Sequence, residues 1–108
     1  MSSNEFTITE ELNDSISRLF PKGRITSMNA NVFQHKLDEL FRNGRTNIIV
    51  NMMEVTFLSS GGIRVLLMFF KKAKDQGGSF FIEEPSENVV NVLGMTALDQ
   101  MLLKQDDL

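Results

Sequence analysis

Phe6 and Ile8 alternate with Thr7 and Thr9, the two-residue period of a strand with one side facing a core. Asn13-Asp14 is a turn-forming pair, and the apolar stretch from Ile16 to Phe20 follows it, so the chain is expected to open with a strand pair. Gly23 breaks that pattern before Ile25. From Asn29 to Phe41, the residues Ala30, Phe33, Leu37, Leu40 and Phe41 recur every three or four positions, which predicts an amphipathic helix with Ser27 as its cap. His35 stands two positions from both Phe33 and Leu37, hence on the solvated side of that helix, and no role is assigned to it.

Ile48, Ile49 and Val50, with Met52 and Met53 close behind, make a nearly continuous apolar run after Asn43-Gly44. Such a run predicts a central strand covered on both faces. Ser59-Ser60-Gly61-Gly62 then leads into a helix expected from about Ile63 to Asp75 and closed by Gly77-Gly78. Phe80, Phe81 and Ile82 predict another strand, ended by Pro85. Ser86 is placed to cap a short helix containing Val89, Val90, Val92 and Leu93, with Gly94 as its stop and a last short element around Ala97 to Leu103. The order β-β-α-β-α-β-α implies an α/β fold, a mixed sheet of four to five strands with helices packed against it.

The chain has 108 residues with no internal repeat or Pro/Gly-rich linker, so residues 1–108 are expected to form a single domain with a core over about 6–103. Apolar residues make up 42% and charged residues 23%, the balance of a folded globular chain. Cysteine is absent, which excludes disulfides, thiol nucleophiles and thiolate metal sites; with a single histidine, neither a metal nor a cofactor is expected. The first twelve residues carry neither a cationic start nor an apolar run, so no signal peptide is expected, and no membrane-spanning stretch is present. A cytoplasmic location fits these features. The net charge of −3 disfavours nucleic acid as a partner. Lys71, Lys72 and Lys74 fall near a helix C-terminus, where cations suit the dipole. No phosphate-binding loop or nucleophile elbow occurs, and the Glu83-Glu84 pair lies at a strand exit, so an enzyme is not expected.

The segment Val55-Thr56-Phe57-Leu58-Ser59-Ser60-Gly61-Gly62-Ile63-Arg64-Val65-Leu66-Leu67 joins a buried strand to a helix through hydroxyls and glycines. The first N–H groups of a helix lack internal partners, so a hydroxyl or an anion is stabilised there. Ser59 or Ser60 is a natural cap, and a phosphoserine would be well placed electrostatically. This segment resembles the signature of the STAS domain, the fold of bacterial anti-sigma factor antagonists, whose corresponding residues read aspartate-serine-serine-glycine-leucine or serine-serine-alanine-glycine-leucine before a helix. Gly23-Arg24-Ile25-Thr26-Ser27-Met28-Asn29-Ala30 is similar to the family's segment between its second strand and first helix.

The resemblance implies a protein that regulates transcription indirectly. Such an antagonist binds an anti-sigma factor that is also a serine kinase; phosphorylation at the position matched by Ser60 abolishes binding, and a phosphatase restores it. Leu58, Ser59, Gly61 and Gly62 are then the switch loop around Ser60. Two departures stand out: Ser59 and Thr26 occupy positions where the family often has aspartate. An alternative is a constitutive STAS scaffold or a transporter-associated subunit that is never phosphorylated.

On the helix after the motif, Ile63, Leu66, Leu67, Phe70 and Ala73 make the stripe expected to face the sheet. Val65, Met68 and Phe69 then place apolar bulk on a second side. Either another part of the chain covers that second side, or, with Thr26, Ser27 and Arg64, these residues form a partner-binding surface beside Ser60, a patch that a homodimer could also use.

Overall fold

A computed structural model describes residues 6–103. The elements are β1 (Thr7–Leu12), β2 (Ser17–Ile25), α1 (Ala30–Arg42), β3 (Asn47–Asn51), β4 (Val55–Leu58), α2 (Ser60–Asp75), β5 (Ser79–Glu83), α3 (Glu87–Met95) and α4 (Asp99–Leu102). The five strands form a mixed sheet in the order β1-β2-β3-β5, with β4 also paired to β2. β1 and β2 are an antiparallel hairpin, whose turn is set by Asn13 Oδ1 accepting from the N–H groups of Ser15 and Ile16 at 3.0 and 2.8 Å. Every other pairing is parallel.

β2 organises the sheet. Its first half pairs with β3, Ser17 to Leu19 against Ile48 to Val50, and its second half pairs with β4, Ile25 against Leu58. Gly23 does not end the strand, as its place in the sequence suggested. It sits at φ 109 where the register shifts between Gly23 and Arg24, a bulge that only glycine adopts without strain and that lets one strand serve two partners in succession. β4 is a strand the hydropathy pattern did not separate from β3, because Met52-Met53-Glu54 reads as a continuation and not as a turn.

The core lies on one side of the sheet. Leu19, Ile48, Val50, Phe80 and Ile82 meet Phe33 and Leu37 of α1, Leu66 and Phe69 of α2, and Val89 and Leu93 of α3 in one apolar cluster. β3 was expected to be covered on both faces, yet Ile49 is only half-buried and its in-register neighbour Phe81 is exposed. What closes that second side is polar: Glu83 takes Arg18 Nε at 2.8 Å and Asn51 Nδ2 at 3.0 Å. A charge-assisted cluster of this kind orders a sheet face that no helix covers.

The helix ends repay attention. Ser86 caps α3 by accepting from Val89 N–H at 3.3 Å and donates its own hydroxyl to the Val55 carbonyl at 2.5 Å, which anchors α3 to β4. Gly94 does not stop α3. The helix continues through Met95, and the left-handed residue that reverses the chain is Ala97 at φ 59, after Thr96 has donated to the carbonyls of Val92 and Leu93. Ser27 does not cap α1 either. The N-cap is Asn29, without a side-chain cap bond, and Thr26 orders the turn before it, its Oγ1 accepting from Met28 N–H at 3.2 Å and Asn29 N–H at 3.3 Å, while Asn29 Oδ1 accepts from Thr26 N–H at 2.8 Å. The exchange is reciprocal, as in a capping box with asparagine as the returning group.

Candidate functional site

The loops that leave β2 and β4 at their C-terminal ends lie side by side, because Ser59 N–H donates to the Ile25 carbonyl at 2.9 Å. Crevices at the carboxyl ends of parallel strands are where α/β folds place their working loops. Here they join Thr26 to Asn29 with the start of α2. The fit is close: a Cβ on Gly61 would stand 3.3 Å from Ser27 Cα, and one on Gly62 would stand 2.7 Å from Leu58 Cδ1 and 2.8 Å from Ile25 Cγ2. Only a bare backbone at position 62 lets α2 settle against β2 and β4.

The two serines divide the work. Ser59 is the N-cap: its backbone is extended and its Oγ accepts from Gly62 N–H at 3.2 Å. Ser60 is the first helical residue; it is exposed, and its hydroxyl has no hydrogen-bond partner among the described residues. α2 therefore begins three positions before the expected Ile63, since Gly61 and Gly62 are helical residues and not a loop.

From Ser60 an open trough of about 720 Å³ runs along α2, lined by Ile63, Arg64, Leu67, Met68, Lys71, Lys72 and Asp75. Its floor is apolar and its sides carry three cations against one carboxylate. Lys72 is engaged, with Asp38 at 3.7 Å and the rings of Phe41 and Phe69 under its ammonium at 5.7 and 5.5 Å. Arg64 is exposed and makes no ion pair among the described residues.

The structure brings together Thr26, Ser27, Ser59, Ser60, Gly61, Gly62 and, along the trough, Arg64 and Met68. It does not bring Val65 and Phe69 to the surface. Both are buried, Phe69 fully, against Phe41 of α1 with ring centroids 5.4 Å apart. The stripe facing the sheet is Gly62, Val65, Leu66, Phe69 and Ala73, rotated by about one residue from the expected one, and Ile63, Leu67 and Phe70 are half-buried on its flank. Leu58 is buried too, so it supports the loop from beneath. A residue that sequence reasoning missed is Met28, 88% exposed beside Ser27; an isolated methionine in a polar turn gave no periodic signal. His35 is exposed on α1, away from this site.

Geometry and fold define a small α/β domain that holds one serine hydroxyl out at a helix start, beside a trough whose floor is apolar and whose sides are cationic. The chain matches the STAS domain model over residues 7–107 and belongs to that family. It is 30% identical to the anti-sigma-B factor antagonist of Bacillus subtilis over 80 residues, 74% of this chain and 72% of that one. An anti-sigma factor antagonist from Mycobacterium paratuberculosis superposes with a TM-score of 0.82 at 20% identity, covering 98% of this chain and 92% of its own. The antagonist SpoIIAA in its unphosphorylated form gives a TM-score of 0.76 at 18% identity, covering 95% and 91% respectively. Both structural likenesses establish the shared fold. No helix among the described residues is long and apolar enough to cross a membrane.

Proposed function

We propose that this domain is an anti-sigma factor antagonist, that the face of α2 from Ser60 to Lys71 together with Thr26 to Met28 binds an anti-sigma factor with serine kinase activity, and that phosphorylation of Ser60 switches the binding off. The observation that carries this reading is the division of labour at the start of α2: Ser59 is consumed as the cap, and Ser60 is exposed with its hydroxyl unengaged. The named relatives support the regulatory role, since the Bacillus subtilis protein is an anti-sigma-B factor antagonist and SpoIIAA has been solved in both phosphorylated and unphosphorylated forms. The domain itself carries out no reaction. In the transfer step the Ser60 oxygen bonds to the γ-phosphorus of ATP, the bond to the bridging oxygen breaks to release ADP, and the hydroxyl proton passes to the kinase. A phosphatase resets the switch by hydrolysis. The setting is the bacterial cytoplasm, where kinase and ATP are available.

The phosphate brings roughly two negative charges onto a surface that the partner must cover, and a few kcal/mol from repulsion and from the cost of desolvating the phosphate reduces affinity by orders of magnitude. Thr26 pairs the N–H groups of the turn before α1 with a neutral hydroxyl, and Ser59 caps α2, so neither departure from the family's aspartates leaves those backbone groups unpaired. Capture of the cognate kinase is expected for wild type and for Ser60→Ala and is expected to fall at least tenfold for Ser60→Asp. Incubation with that kinase and ATP is expected to add one phosphate, located at Ser60 by mass spectrometry. Equal capture by both variants, with no phosphate added, would favour a constitutive scaffold.

A further inference from the structure

We propose that Arg64 is the intramolecular counter-charge of phosphorylated Ser60, so that the phosphate is held on the α2 surface by its guanidinium. The proposal rests on the reading of Ser60 as a modification site and concerns what the chain does with the phosphate once it is there. Residues four apart on a helix lie one above the other, with Cβ atoms about 5–6 Å apart, and helical side chains lean back toward the N-terminus. Arg64 therefore leans toward Ser60, and both line the same trough. Its planar fork offers paired N–H donors that match two phosphate oxygens.

The competing charges leave Arg64 as the one suited cation in the trough. Lys72 is committed to Asp38 and to the rings of Phe41 and Phe69. Lys71 lies eleven residues beyond Ser60, about 16 Å along the helix axis, out of reach. Asp75, the carboxylate lining the trough, lies eleven residues beyond Arg64, about 16 Å along the helix axis, so no acid in the trough draws Arg64 away. Modification then has two effects. It adds negative charge at Ser60, and it withdraws from the partner a guanidinium that the unmodified surface presents. The sign of the trough's near end reverses in a single step.

The test uses the full chain with phosphoserine installed at position 60 during translation, which needs no kinase. Titration of the phosphate by phosphorus NMR reads its second ionisation, ordinarily near pH 6. At low ionic strength the midpoint in the wild-type background is expected about 0.4 pH unit below that in Arg64→Gln, with Arg64→Lys between them. The gap is expected to close near 1 M salt. Identical midpoints in wild type and Arg64→Gln at low salt overturn the clamp. If that happens while the phosphoprotein still fails to capture its partner, the switch stands and the clamp alone is lost; a kinase that never modifies Ser60 defeats the switch without touching this measurement.

Discussion

At the scale of single residues, the start of α2 separates a serine that caps the helix from one whose hydroxyl stands exposed and unengaged among the described residues. Ser59 contributes one hydrogen bond that would otherwise leave Gly62 N–H without an acceptor, and losing such a cap costs about 1 kcal/mol. Ser59→Ala is expected to lower the unfolding free energy read from a urea melt by that amount, whereas Ser60→Ala is expected to stay within about 0.5 kcal/mol of wild type, as an exposed position without a partner should. Equal losses in the two variants would mean that the cap assignment is wrong. The pair of hydroxyls was legible in the sequence, but which of them caps was not. Glycine is a poor helix former, so Gly61 and Gly62 read as a loop, and only the close approach of Leu58 and Ile25 to position 62 explains why the helix keeps them. The same local ambiguity put the cap of α1 at Ser27 instead of Asn29, because serine and asparagine are both favoured at a helix start.

At the scale of elements, periodicity found α1 with its correct face and α2 with the wrong one. The apolar residues of α1 keep to one stripe, so phase follows from spacing alone. Along α2, apolar side chains occupy most of the circumference, and their spacing is compatible with more than one phase. The small residues break the tie: Gly62 and Ala73 lie on the side that approaches the sheet, and Val65, Leu66 and Phe69 fill the space between them. Lys36 of α1 reaches Glu10 of β1 at 2.7 Å, and that hydrogen bond, above all, raises the Lys36 pKa above its ordinary 10.5, against an opposing effect of burial; Glu39 assists. A raised pKa in the folded state contributes stability that is fully present below pH 10.5 and is lost as pH rises through the folded value. Lys36→Met is therefore expected to cost up to about 1 kcal/mol at pH 7, and its difference from wild type is expected to shrink once the pH is raised through the folded-state value, above 10.5. Denaturant melts of both proteins at the two pH values measure it; a difference that does not change with pH would mean the contact stabilises by packing and not by charge.

At the scale of the whole molecule, the fold class, the hairpin and, β4 excepted, the order of strands and helices along the chain were legible. The sheet order was not. That β3 and β4 both pair with one side of β2, in succession around the Gly23 bulge, is a non-local arrangement that no window of sequence contains. The consequence is a one-sided architecture: helices bury one sheet face, Arg18, Asn51 and Glu83 knit the other, and α2 keeps a free outer surface because its inner surface is fully occupied. The packed side and the solvent-facing side of α2 thus meet one residue apart in sequence. Phe69 has no exposed surface, and removing its ring opens a cavity against Phe41, whereas Met68 is 40% exposed and lines the trough. Phe69→Ala is expected to cost about 3–5 kcal/mol of stability, and Met68→Ala less than about 0.5 kcal/mol. Under conditions where both variants remain folded, the order should invert for capture of the partner: Met68→Ala weakens it and Phe69→Ala leaves it near wild type. Urea melts and capture measured on the same two proteins decide the matter, and a Met68→Ala variant that binds as wild type does would move the docking surface off α2.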